Sequence, residues 1–201
     1  ADETTIPTTK WSALRPGKAV LVVGDGETNI ALARDNTMAP RLRETTKGRY
    51  ILEVETRAKR ITGFRVDALE EVGRTIGRGE KGDFALAEFA AFVQVGAEAP
   101  RKLEIASAHA DFASSGSEAV RAVDGAPETG WSIAPQINEP HVIWFELKEP
   151  LDCSGGAKLI LHLDQSTGGV MNRLRLSFSA SPGPLQASTL PEEILAHLKV
   201  P

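Results

Sequence analysis

Apolar residues recur at every second position through most of this chain. Tyr50, Leu52 and Val54 alternate with Glu53, Glu55 and Arg57, and Phe64, Val66 and Ala68 alternate with Arg65 and Asp67. Near the end, Leu174, Leu176 and Phe178 alternate with Arg173, Arg175, Ser177 and Ser179. A period of two turns one set of side chains to a buried sheet face and the other to water, so each run predicts a half-buried strand with its polar face outward. Leu159, Leu161 and Leu163 predict another over 158–164. Residues 141–147 are apolar at both parities, through Val142, Ile143, Trp144, Phe145 and Leu147, which predicts a central strand buried on both sides. Residues 20–23, 28–33 and 102–106 supply further strands. Turn chemistry separates them: Gly24-Asp25-Gly26, Gly77-Arg78-Gly79, Asp124-Gly125, Ser154-Gly155-Gly156 and Gly168-Gly169. About nine or ten strands joined by turns, without crossover helices, make an all-β sandwich.

Residues 83–95, DFALAEFAAFVQV, fit this pattern poorly. Their alanine content favours a helix. As a strand, Phe84 and Leu86 share one face while Phe89, Val93 and Val95 fall on the other, and only a β-bulge near 87–91 restores the register. The pattern leaves both readings open.

A length of 201 residues with 41% apolar and 25% charged residues suits one large or two small globular domains. The period-two region places one domain at 11–184, between an N-terminal tail at 1–10 and a linker at 185–201. The linker follows a Pro/Gly break at 181–184 and predicts a short C-terminal helix, capped by Thr189 with Pro191 in its first turn and Ile194, Leu195 and Leu198 on one side. Such an end reads as part of a longer protein. No apolar run approaches the ~18–20 residues of a membrane-spanning helix. A formal charge of −4 argues against nucleic acid, which needs a basic face. The lone Cys153 excludes an intrachain disulfide, a multi-cysteine zinc site and a covalently attached c-type haem within this chain.

Signals for catalysis are weak. His109, His141, His162 and His197 are scattered, and no nucleophile elbow or P-loop occurs. Gly77, Gly79 and Gly82 match the letters of a dinucleotide fingerprint without its strand–turn–helix setting, and read as a tight loop. The expectation is a protein that is not an enzyme.

The most informative stretch is 119–145, AVRAVDGAPETGWSIAPQINEPHVIWF. Its Ala122, Asp124, Gly125, Thr129 and Trp131 resemble the A-x-D-G…T-x-W turn of discoidin-like, galactose-binding-like jelly rolls. The Asp124 carboxylate and Thr129 hydroxyl, with nearby carbonyls, could wrap one Ca²⁺ in hard oxygen ligands. The competing reading is a metal-free Asp-Gly turn with Trp131 plugging the core.

A wider resemblance covers nearly the whole chain. Trp11, Leu14 and Pro16; Thr62-Gly63-Phe64-Arg65; Gly77-Arg78-Gly79 through Glu88; Ala110-Asp111-Phe112; Val123-Asp124-Gly125 through Gln136; Pro140-His141; and Asn172 through Ser177 occur in the order found in one family. They resemble the middle domain of planctomycete-type surface proteins that also carry cytochrome-c-like domains. Gly169 stands where that family usually has a histidine, and Asn172 and Leu174 replace its Gly and Phe. The resemblance decides 83–95 in favour of strand. It implies an all-β, jelly-roll β-sandwich of galactose-binding-like type on an exported, extracytoplasmic protein, acting as a carbohydrate-binding module for a complex polysaccharide. The alternative is an interaction scaffold that packs against neighbouring domains of its own chain. Trp131, His141, Arg173 and Arg175 are the expected ligand contacts and Asp124 and Thr129 the expected calcium ligands, with core packing for Trp131 and solvated faces for the arginines as the competing roles.

Overall fold

The computed structural model of the chain describes residues 8–41, 47–71, 73–166 and 168–187. The expected C-terminal helix and most of the N-terminal tail lie outside the described residues. Within them, twelve strands run antiparallel to their neighbours: β1 (Trp11–Ala13), β2 (Lys18–Val23), β3 (Gly26–Leu32), β4 (Met38–Pro40), β5 (Gly48–Thr56), β6 (Ile61–Leu69), β7 (Leu86–Gln94), β8 (Arg101–Lys102), β9 (Ile105–Ala110), β10 (His141–Leu151), β11 (Ala157–Gln165) and β12 (Arg173–Ser179). A 3-10 turn at Ala119–Ala122 is the one helical element among them.

The strands form two sheets. The first has the order β9-β10-β6-β12, with β1 and β4 beside β12; the second has the order β8-β7-β11-β5-β2-β3. They join at a corner: residues 26–29 of β3 pair with β2, and Ile30, Ala31 and Leu32 pair with β4. The long strands β5, β6, β7, β10, β11 and β12 alternate between the sheets along the sequence. This alternation is jelly-roll connectivity, and the all-β sandwich expected from the pattern is the observed fold.

The core lies between the sheets. Tyr50, Leu52, Phe64, Val66, Phe89, Phe145, Leu161, Leu163 and Leu176 meet there, all buried. The Phe89 ring of β7 stacks on Phe145 of β10, with centroids 4.0 Å apart and planes 4° apart, so this contact bridges the two sheets. Phe64 adds a tilted contact to Phe89 at 6.1 Å. Tyr50 buries its ring and donates its hydroxyl to the Met171 carbonyl at 2.7 Å, which satisfies the one polar atom it brings inside.

Residues 83–95 supply strand β7, and the bulge is present. Asp164 of β11 pairs with Glu88 but Gln165 pairs with Leu86, leaving Ala87 as the extra residue. The shift lets Phe84 and Leu86 on one parity, and Phe89, Ala91 and Val93 on the other, all enter the core. Burial against β11 and the facing sheet overrides the helix propensity of the alanines.

Three details depart from the pattern. Strand β6 is buried on both faces, so Arg65 and Asp67, expected towards water, are 4% and 3% exposed. Strand β10 is next to the sheet edge, and Trp144, expected inside, is half-exposed on its outer side. The expected strand at 102–106 splits into β8 and the start of β9, because the chain passes there from one sheet to the other. The glycine loop behaves as read: Gly77 N–H bonds the Gly82 carbonyl and Gly79 N–H the Asp83 carbonyl. Gly169 has φ +109°, and a Cβ there would run into the Gly79 backbone, so this chain's loop packing excludes a side chain at 169.

The bulge makes a testable prediction. Phe89→Ala removes the inter-sheet stack and is expected to cost about 3–5 kcal/mol in urea unfolding. Phe92→Ala, three residues along on the outer face, is expected to cost less than half as much. Equal costs would contradict the register.

Candidate ligand-binding face

On the outer side of the first sheet, β6 presents Arg65 and Asp67, two positions apart and therefore on one face. Arg65 donates from Nε and Nη2 to Asp67 Oδ1 at 2.8 and 2.7 Å. Across the strand pair, Arg175 of β12 donates from Nε to Asp67 Oδ2 at 3.2 Å. Arg173 extends the row: Nη2 reaches Asp35 Oδ2 at 2.9 Å, and Nε and Nη2 both donate to the Thr37 hydroxyl. That hydroxyl in turn donates to Asp35 Oδ1 at 2.6 Å and, with the Thr37 N–H and the Arg173 charge, holds the Asp35 carboxyl below its ordinary value. Arg173 also borders a cleft of about 410 Å³ with Leu32, Thr37, Ala39 and Glu71.

The other end of this face is aromatic. Trp144 of β10 sits directly opposite Arg65, and His109 of β9 directly opposite Trp144. The two rings stack with centroids 5.5 Å apart and planes 25° apart. His109 Nε2 lies 3.1 Å from the Ser107 hydroxyl and 3.8 Å from Glu146 Oε1. From β9 to β12 the face spans three strand spacings, ~14 Å.

Arg173 and Arg175, singled out in the sequence, thus lie together on one face. The other two expected ligand contacts do not join them. Trp131 is fully buried, edge-to-face with Phe84 at 5.1 Å, and its indole N–H bonds the Phe112 carbonyl at 2.8 Å. Its backbone exchanges two hydrogen bonds with Leu86. Trp131 therefore plugs the core and offers no ring face to a ligand. His141 is 3% exposed, with Nδ1 on Asp111 Oδ2 at 3.0 Å and Nε2 on the Gln136 carbonyl at 3.1 Å. Both ring nitrogens are occupied in tying the 111 and 136 loops to β10, which corrects the expectation of a ligand contact.

The Asp124 turn is closed by the protein's own donors. Asp124 Oδ1 accepts the Ala126 N–H at 2.9 Å, the Thr129 hydroxyl lies 2.9 Å from both carboxylate oxygens, and Arg121 Nη1 is 3.6 Å from Oδ2. The Ala126 N–H, then Thr129 and Arg121, hold the Asp124 carboxyl below its ordinary value. Gly125 N–H donates to Glu88 Oε2 and anchors the turn to β7. Calcium would need six to eight oxygens and would have to displace these donors and a guanidinium. The ion suggested by the resemblance does not fit the turn as it is folded.

Comparison with protein-family models, curated proteins and solved structures gave no match. The geometry alone therefore carries the functional argument.

Sequence reasoning missed Trp144 and the burial of the Arg65–Asp67 pair. A strand apolar at both parities marks two covered faces equally well whether a second layer or a few side chains do the covering. The available signal was the Arg-x-Asp on β6 together with Arg175, the cationic residue opposite Asp67 on β12.

Two outcomes are expected at the Asp124 turn. Calcium added to chelator-treated protein leaves its Tm unchanged; a rise that is absent in Asp124→Asn would contradict the closed turn. A depressed carboxyl stabilises the fold above its unfolded pKa, near 3.8, and that contribution is lost as pH falls through the folded value. The Tm difference between wild type and Asp124→Asn should therefore shrink as pH is lowered below ~4.

Proposed function

We propose that this domain is a non-catalytic carbohydrate-binding module and that it binds a neutral polysaccharide on the outer face of the first sheet. The observation that carries the reading is the half-buried Trp144 ring stacked on the exposed His109 ring, beside the fixed, planar guanidiniums of Arg173 and Arg175. A pyranose offers an apolar C–H face and a rim of hydroxyls; an aromatic ring meets the first, and the solvent-reaching guanidiniums of Arg173 and Arg175, held by Asp35 and Asp67, meet the second. The forks are already locked by their partners, so little side-chain entropy is lost on binding.

Charge favours a neutral ligand. Arg65, Arg173 and Arg175 bring three positive charges, and Asp35, Asp67 and Glu146 bring three negative ones, so the face carries no net charge to attract a polyanion. An extracytoplasmic setting, where polysaccharide is met, goes with this reading. Among the described residues no helix is long and apolar enough to cross a membrane.

The scaffold alternative has one feature in its favour. The outer face of the second sheet leaves Ile51, Phe92 and Ile160 half-exposed, with the His162 ring against Phe92 at 5.0 Å. This face would suit a packing partner better than a sugar.

A glycan array followed by titration tests the proposal. Binding should be weak, with Kd near the millimolar range, about −4 to −6 kcal/mol. It should change little between low salt and 1 M, where the screening length falls to ~3 Å. Trp144→Ala should abolish it, and Phe92→Ala should leave it intact. Silence across neutral glycans by the folded domain would favour the scaffold.

A further inference from the structure

After β12 the chain turns back across the outer face of the first sheet, and residues 181–186 are held there almost entirely by side chains. The Ser181 carbonyl accepts the Thr62 hydroxyl at 2.7 Å, and the Ser181 hydroxyl accepts the Lys10 N–H at 3.0 Å. Leu185 N–H donates to Glu146 Oε1 at 3.0 Å, and its carbonyl accepts the Trp144 indole N–H at 3.1 Å. Gln186 N–H donates to the Thr9 hydroxyl at 2.8 Å, and its carbonyl accepts the Trp11 indole N–H at 3.0 Å. All four main-chain groups of two consecutive residues are thus read by four side chains, two on β10 and two at residues 9 and 11.

The anchor is apolar. Leu185 is 4% exposed, and it lies over Gly63 of β6, where a Cβ would collide with both Leu185 Cδ1 and the Phe145 carbonyl oxygen. Gly63 is the floor of the slot. Trp11 is opposite Ser179, Ser179 opposite Gly63, and Gly63 opposite Glu146, so Trp11 on β1 and Glu146 on β10 flank the anchor in one cross-strand row. Trp144 stands one step along β10 on the same face.

This arrangement has the parts of a peptide-binding site: main-chain donors and acceptors met in pairs, and one pocket for an apolar side chain. It differs from strand addition in that side chains, and no sheet edge, do the reading. The polar groups that meet the backbone of residues 185 and 186 would meet any extended backbone equally well. Selection therefore falls on the anchor, which must be apolar, about the size of leucine and uncharged.

We infer that the slot between Trp11 and Trp144 is a peptide-binding site, occupied in this chain by its own Leu185 and Gln186, and able to take the same segment in trans when the strap is displaced. Because the strap is tethered a few residues from β12, its effective concentration at the slot is in the millimolar range, and it excludes free peptide. The inference stands on the strap contacts and does not rest on carbohydrate binding.

The test uses Leu185→Asp, which puts a charge where the anchor sits and expels the strap. The probe is the hexapeptide Pro-Gly-Pro-Leu-Gln-Ala, residues 182–187 of the chain. The variant is expected to show red-shifted tryptophan emission. It should then bind the hexapeptide saturably, with Kd of about 0.1 mM or tighter, at least tenfold below the effective concentration that lets the tethered strap exclude it, and return towards the wild-type spectrum. The same peptide with Asp for Leu should not bind, nor should the wild type, whose slot is filled. A folded Leu185→Asp protein that ignores the peptide, or a wild type that binds it equally well, would overturn the inference. Thr9→Val gives a second readout that does not depend on vacating the slot. Losing one acceptor should speed hydrogen exchange at the Gln186 amide about five- to tenfold while the β11 amides are unchanged. Unchanged exchange at Gln186 would also count against it.

Discussion

The Asp67 carboxylate, 3% exposed on a strand covered from both sides, sets a constraint that much of the first sheet obeys. A buried charge must be paired and hydrogen-bonded, and removing one partner from such a pair costs about 3–5 kcal/mol. Arg65, two residues back, and Arg175, directly across on β12, supply the partners. Their geometry fixes β6 and β12 in register, and Trp144 of β10 stands directly opposite Arg65 on the other side of β6. Seen from inside, the same two strands contribute Phe64, Val66, Leu174 and Leu176 to the core. One strand pair therefore carries both the sandwich and the proposed binding face.

The core faces were legible because each buried position recurs with period two, and burial of apolar area is the dominant favourable term. Leu159, Leu161 and Leu163, and Tyr50, Leu52 and Val54, fell where their alternation put them. The Ala87 bulge was legible only once residues 83–95 were taken as a strand, a choice the pattern itself left open; an extra residue then reconciles Leu86 with Phe89. The covering of outer faces was not. Whether Arg65 meets water depends on what lies above it, and that is decided by β12, β10 and residues far away in sequence. For the same reason the exposure of Trp144 was not legible, and Trp131 was left between two roles. A tryptophan on a turn left ligand contact and core packing both open, and the turn folds inward between Phe84 and the 112 carbonyl; one inside an apolar strand read as buried, yet β10 lies next to the sheet edge.

The two outer faces differ in kind. That of the second sheet mixes half-exposed aliphatic and aromatic side chains with surface ion pairs such as Arg49–Asp164, which grip each other by two bonds. That of the first sheet is a planned polar surface, with arginines, carboxylates and the Thr37 hydroxyl satisfied among themselves, an aromatic pair at one end and a cleft at the other. Fixed planar donors beside a ring suit a ligand of hydroxyls and C–H faces. The strap lies on the same surface and shares Trp144 and Glu146 with it, so the chain's own terminal segment and any glycan would be neighbours there.

The central claim is that the outer face of the first sheet is the working face. Its most direct test is a two-dimensional ¹H–¹⁵N NMR titration of the isotopically labelled domain with a neutral oligosaccharide that the glycan array selects. The account predicts shifts concentrated at the Trp144 indole, at His109 and at the side-chain signals of Arg173 and Arg175, with the amides of β5, β7 and β11 unmoved. Shifts confined to Ile51, Phe92 and Ile160, or spread over the Asp124 turn, would contradict it.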